Sequence, residues 1–161
     1  MQFHIAIWKP AFAVSLTALL VLGAAACGDD DDDDDGDIGG NGGPTDVAVT
    51  LQEFSVNPDT TSVPAGTVNF IVANIGPEDE HEMVVIRTDL DPGDLPTTAD
   101  GSVDEAGAGI EIVDEIEQFP FGETRTLTLD LAAGNYVLIC NVVEEDEAHY
   151  TFGMRVGFTV E

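Results

Sequence analysis

The chain has 161 residues, with 4 Lys plus Arg against 32 Asp plus Glu and a formal net charge of −28. Such a chain offers no basic surface on which to gather phosphate backbones, which excludes nucleic acid as a partner. At 43% hydrophobic residues it is too apolar to be a disordered acidic tail throughout, and its length allows one domain with appendages. Its two cysteines, Cys27 and Cys140, stand in such different settings that a disulfide between them is not expected.

Residues 11–26 form an apolar run preceded by a short segment whose only charged side chain is Lys9. The run is short for a membrane span, which needs roughly 20 residues, and residues 1–26 read as a secretory signal peptide. Its end, Gly23-Ala24-Ala25-Ala26-Cys27, resembles the cleavage box of bacterial lipoproteins, which implies that Cys27 is lipidated and becomes the new N-terminus. Ala24-x-Ala26 also suits an ordinary signal peptidase. Residues 27–45 then form a linker: the aspartates Asp29 to Asp35 stiffen its first half by self-repulsion, and glycines loosen the second. A flexible run of aspartates offers Ca²⁺ oxygens but no defined cage, so a solvated spacer is the expected role. The spacer holds a domain up to roughly 55 Å clear of a membrane.

Residues 46–161 read as an antiparallel β domain. Val47, Val49 and Leu51 alternate with polar residues, and after the turn Pro64-Ala65-Gly66 so do Val68, Phe70 and Val72. Met83 to Arg87 is a compact apolar run; Leu127, Leu129 and Leu131 alternate again; Tyr136 to Val143 is nearly continuous; and Met154, Val156, Phe158 and Val160 close the chain. Short strands, Pro/Gly turns and no helical crossover predict an all-β, two-sheet sandwich. Thr88 to Pro120 resists this scheme and reads as a long irregular loop in which only Ile110 to Ile116 looks regular.

Downstream of Cys27 the histidines are His81 and His149, the cysteine is Cys140, and Met154 follows His149 before the last strand. Sandwich loops cluster at two ends, so these four side chains can converge. Taken singly each has a plain structural role: a packed thiol, a solvated loop histidine, a core methionine. Gly134-Asn135-Tyr136-Val137-Leu138-Ile139-Cys140-Asn141-Val142, followed by His149-Tyr150-Thr151-Phe152-Gly153-Met154-Arg155, resembles the C-terminal copper loop of the cupredoxins, the small blue copper proteins. Asn74-x-Gly76 with His81 is similar to the family's first-histidine segment. The resemblance implies a cupredoxin-like fold, a Greek-key β-sandwich, with one mononuclear type 1 copper. His81, Cys140 and His149 are then the strong equatorial ligands, Met154 the weak axial one, and His149 a near-surface electron exit. Between Cys140 and His149 the chain has eight residues where many cupredoxins have a tight turn.

A soft thiolate, two imidazoles and a thioether accommodate both oxidation states of copper, whereas zinc rarely takes a thioether as fourth ligand. One core cysteine does not build a two-thiolate dinuclear site, and two histidines do not supply further copper centres. A Cys140/His149 nucleophile pair lacks an evident orienting residue. The expectation is therefore a one-electron carrier and not an enzyme, outside the cytoplasm and tethered through Cys27. The alternative is a copper-trafficking or copper-storage protein that delivers copper to an extracytoplasmic oxidase. Glu78-Asp79-Glu80-His81-Glu82 and Glu144-Glu145-Asp146-Glu147 set acid beside both histidines. That charge is either a docking rim for a cationic redox partner, such as a cytochrome or an oxidase, or part of a generally acidic surface.

Overall fold

The structure, a computed structural model, describes residues 43–161. The signal segment, the lipidated Cys27 and the linker as far as residue 42 lie outside the described residues. Alternation sends Val47, Val49 and Leu51 of β1 (Thr45–Gln52) into the core, and the chain turns back through β2 (Ser55–Pro58). A short β3 (Ser62–Val63) joins the opposite sheet before Gly66, at φ +132°, opens β4 (Gly66–Asn74). With β7 (Thr124–Leu131) these complete a first sheet of order β2-β1-β4-β7. The second sheet contains β5 (His81–Arg87), β6 (Glu111–Phe119), β8 (Gly134–Ile139) and β11 (Arg155–Val160), in the order β3-β11-β8-β5-β6. A ribbon of β9 (Val143–Glu144) and β10 (Glu147–Ala148) and one helical turn, α1 (His149–Phe152), lie between β8 and β11.

The two-sheet sandwich matches the sequence reading, but the pairing is mixed rather than antiparallel throughout. Strand β1 runs parallel to β4, and β3 runs parallel to β11. The reason is connectivity: the chain visits the second sheet through β3 and comes back beside β1 pointing the same way. Between the sheets Val68, Phe70 and Val72 meet Met83, Val85, Leu138 and Phe158 in one buried cluster. The Phe70 and Phe158 rings meet edge to face, 5.4 Å between centroids.

The long segment after β5 is also more regular than expected. Its last part is β6, nine residues paired with β5 at the sheet edge. Register shifts between His81 and Met83 and between Val85 and Ile86 break the alternation, and β6 buries only Ile116 and Phe119 fully. Its exposed carboxylates protect an edge that otherwise offers free backbone groups. Residues 88–110 then cover the outer face of the second sheet: Leu95 and Val103 pack on Val84, Ile86, Val137, Ile139 and Tyr150. Strands β5 and β8 are thus buried on both faces, which is why they read as continuous apolar runs.

Tyr150 fastens this cover. Its buried hydroxyl accepts from the Leu95 N–H at 3.1 Å and donates to the Pro92 carbonyl at 2.8 Å. Replacing Tyr150 with Phe strips both backbone groups of their partner and should cost about 1–3 kcal/mol in chemical denaturation. Hydrogen exchange should rise first around residues 92–96; unchanged exchange there would show that the cover is held by other contacts.

Candidate metal centre

Three adjacent strands of the second sheet meet at one edge. Strands β5 and β8 are antiparallel, so His81 at the start of β5 lies at the same end as Cys140, immediately after β8. Strand β11 is antiparallel to β8 as well, so the residue before it, Met154, lies opposite Cys140, whose N–H donates to the Met154 carbonyl at 3.1 Å. The ribbon β9–β10 takes up the eight residues after Cys140, with Glu145 at φ 52° in its turn, and returns the chain to α1. There the His149 N–H donates to the Val142 carbonyl, and the Met154 N–H donates to the His149 carbonyl, both at 3.0 Å. Gly153, at φ 129°, ends the helical turn in a conformation that favours glycine. The long loop is therefore a folded hairpin that leaves the ligand order undisturbed.

The result is a tight triangle of donors. Cys140 Sγ lies 3.4 Å from His149 Nδ1 and 3.9 Å from His81 Nδ1, and the two Nδ1 atoms are 3.3 Å apart. All three residues are fully buried. Two nitrogens about 2.0 Å and a sulfur about 2.3 Å from one tetrahedral ion stand roughly 3.3–3.6 Å from one another. The two sides at His149 match this and the third, at 3.9 Å, is slightly longer, so a small closure of the triangle suits a single metal ion. Met154 is fully buried in the same cluster as Cys140. Thiolate, two imidazoles and a nearby thioether suit copper.

Second contacts hold the ligands in place. Buried Asn74 donates to the Asp79 carbonyl at 2.9 Å and the Phe119 carbonyl at 3.1 Å, and accepts from the Gly76 N–H at 3.1 Å, fixing the turn that enters His81. Glu82 accepts from the Asn141 N–H at 3.0 Å, tying β5 to the residue after Cys140, while its own N–H points at Cys140 Sγ at 3.5 Å. Burial pushes the Glu82 carboxyl up to about 7, helped by Glu115, Glu105 and Glu117. The Asn141 side chain accepts from the Val103 N–H at 2.6 Å and so locks the 88–110 cover to the site.

Beyond the histidines lie groups that the sequence reading did not single out. Glu53, in the β1–β2 turn, places Oε1 3.7 Å from His81 Nε2, and Phe54 sets its ring edge-on to His149 at 5.2 Å. Phe54 also meets Phe152, which is half exposed, at 5.0 Å. His149 has no exposed surface of its own; the Phe54 ring packs against it, and Asp79, which is partly exposed, faces its outer nitrogen. The acid itself gathers as expected. Glu78, Asp79, Glu144, Glu145, Asp146 and Glu147 line a cleft of about 560 Å³, and Asp79 Oδ2 stands 3.9 Å from His149 Nε2.

In shape the chain is similar to dithionite-reduced auracyanin from the photosynthetic bacterium Roseiflexus castenholzii. The TM-score is 0.51 and the identity 22%, over 76% of this chain and 99% of that one. It is also similar to reduced rusticyanin, with a TM-score of 0.50 and 21% identity over 74% of this chain and 81% of the other. This chain has the cupredoxin fold. No protein-family model matches the sequence, and no curated protein matches it. The cupredoxin fold thus rests on shape, and the donor triangle stands where three of its strands end.

The protonation of the donors follows from burial. Burial pushes the Cys140 thiol up to about 12, with Glu82 and Glu144 adding to the rise. Burial lowers both histidines from 6.5; His149 lowers His81 further, while Glu53 and Asp79 oppose the shift. Between about pH 7 and pH 10 the thiol is protonated and both imidazoles are neutral, so binding a divalent ion releases one proton. Affinity for Zn²⁺ should therefore rise about tenfold per pH unit across that range, and fall more steeply only in acid, where the histidines also protonate. Calorimetry in buffers of different ionisation enthalpy checks it. A pH-independent affinity would show that the Cys140 sulfur is not a ligand.

Proposed function

We propose that the protein is a one-electron carrier built on a single copper, held by His81 Nδ1, Cys140 Sγ and His149 Nδ1, with Met154 as the weak fourth ligand. The observation that carries this reading is the donor triangle, fully buried and assembled from β5, β8 and α1. Copper bound there supplies one-electron chemistry between its cuprous and cupric states. The chain's part is to keep the donors in one geometry: the sheet fixes Cys140 and Met154 by a shared backbone hydrogen bond, and Asn74 and Glu82 fix His81. The auracyanin and rusticyanin structures compared above are of reduced proteins, which agrees with a redox role.

Burial favours a carrier over a protein that hands copper on, because an ion enclosed by side chains with no exposed surface exchanges slowly. Rings give a route outward: His149, Phe54 and half-exposed Phe152 are in consecutive edge contact. The six-carboxylate cleft beside them suits a cationic redox partner, a cytochrome or an oxidase. An extracytoplasmic, lipid-tethered location is supported by residues 1–27 of the sequence. No reaction is catalysed in this reading.

The copper-loaded protein should show an intense visible thiolate-to-copper band that Cys140→Ser abolishes. It should also cycle reversibly at an electrode without losing metal to a chelator; rapid loss would favour copper delivery instead. Electron transfer to a cationic cytochrome should slow as salt rises, because charges farther apart than about 8 Å are largely screened at physiological ionic strength. A rate flat in ionic strength would remove the acidic cleft as a docking site.

A further inference from the structure

Glu53 stands apart from the other carboxylates of this acidic chain. Its Oε1 accepts from the Asp79 N–H at 2.8 Å and the Glu78 N–H at 3.2 Å, so the group is fixed by the turn that leads into His81. The side chain is 14% exposed. Its Oε2 is buried with no hydrogen-bond partner, and so is His81 Nε2, which faces Oε1 at 3.7 Å. The carboxylate thus has one oxygen without a partner, and its other oxygen faces a buried imidazole nitrogen that has none either. The last torsion of a glutamate is soft, so a small turn of the carboxylate brings an oxygen within hydrogen-bond range of Nε2–H.

Space for this carboxylate is built in. Gly76 lies against it, and a Cβ there would come within 2.6 Å of Oε2 and 2.7 Å of Oε1. Gly76 has no left-handed φ to explain it, so close approach is what the position requires. Burial alone would raise the Glu53 pKa, but hydrogen bonds from Asp79, Glu53 itself and Glu78, with the facing His81, hold it below the ordinary 4.5. Asp79 faces His149 in a similar way, but at 3.9 Å and with 26% of its side chain exposed. Solvent screens it more.

We propose that Glu53 is the positioning carboxylate of this metal centre: it holds His81 as the Nε2–H tautomer, leaving Nδ1 for the ion, and its charge selects a divalent over a monovalent ion. The inference rests on the metal reading given under Proposed function. A carboxylate on the outer nitrogen of a ligand histidine fixes the ring and makes the inner nitrogen a better donor. With the Cys140 thiolate it adds negative charge at the centre, where Glu82 already stands beside Cys140. Negative charge added in a buried place favours a divalent over a monovalent ion.

The test uses the full chain and the variants Glu53→Gln, Glu53→Ala and Gly76→Ala. Long-range ¹H–¹⁵N correlation spectra of the metal-free protein at pH 8, where both histidines are neutral, read the His81 tautomer and the fold together. Wild type should show Nε2–H alone. Glu53→Ala and Gly76→Ala should show a mixture; Glu53→Gln should keep Nε2–H, because its amide oxygen still accepts. Competition titrations with Co²⁺ and Ag⁺ then separate charge from shape. Glu53→Gln should lose about 10–100-fold in Co²⁺ affinity relative to its Ag⁺ affinity. Nδ1–H on His81 in the wild type, or equal changes for the two ions in Glu53→Gln, would overturn the assignment. A wild type that binds neither ion defeats the metal reading, and the tautomer still decides what Glu53 does to His81.

Discussion

Cys140 meets His81 and His149 in a place where none of the three carries a charge easily. Burial pushes the thiol up to about 12 and both imidazoles below their ordinary value, so the donors come together as neutral groups. That constraint decides the chemistry of the site. Neutral imidazoles are ready ligands, and the thiol gives up its proton only to something that replaces it, which a soft metal ion does. The same burial that makes the thiolate expensive alone makes its bond to an ion hard to exchange.

Geometry comes from strand ends. An antiparallel neighbour brings the start of one strand beside the end of the next, and β5, β8 and β11 use this twice. No loop has to reach far: His81 is the first residue of β5, Cys140 follows the last of β8, and Met154 precedes the first of β11. Only His149 comes from outside the sheet, on a turn pinned at both ends by backbone hydrogen bonds to Val142 and Met154. Backbone pairing sets the spacing, so eight residues inserted before His149 fold outward as a ribbon and leave the triangle closed.

This explains what could be read in the sequence. His81, Cys140 and His149 are rare residue types in this chain, and each lies at the edge of an apolar run, so their order was visible. The runs themselves marked β5 and β8, because both faces are covered. Strand β6 was obscured by two register shifts and an exposed, acidic edge, and its carboxylates resemble those of any solvated loop. The mixed pairing of β1 with β4 is invisible in alternation, which is the same for either direction. Nothing in the segment around His149 shows that Phe54, from the β1–β2 turn, packs against it. Glu53 was lost among 32 acids; its mark is Gly76, a glycine in a turn that needs no positive φ, and that has meaning only once the two segments are known to touch.

The two sheets therefore have different tasks at the centre. The second sheet, with its appended turn, supplies the donors; the first supplies, through the β1–β2 turn, a carboxylate behind one histidine and a ring over the other. Donor geometry is set by one hydrogen-bonded sheet and the turn pinned to it by backbone hydrogen bonds. The outer contacts cross the packed interface between sheets, where Phe70 and Phe158 interlock, and depend on that packing for their register. A change in the inter-sheet core should then leave the three donors together while moving Glu53 and Phe54, altering the environment of the ion without removing its ligands. Most carboxylates among the described residues are exposed and screened, whereas Glu53 is held close to His81 and largely out of water, so it weighs on the metal more than those do.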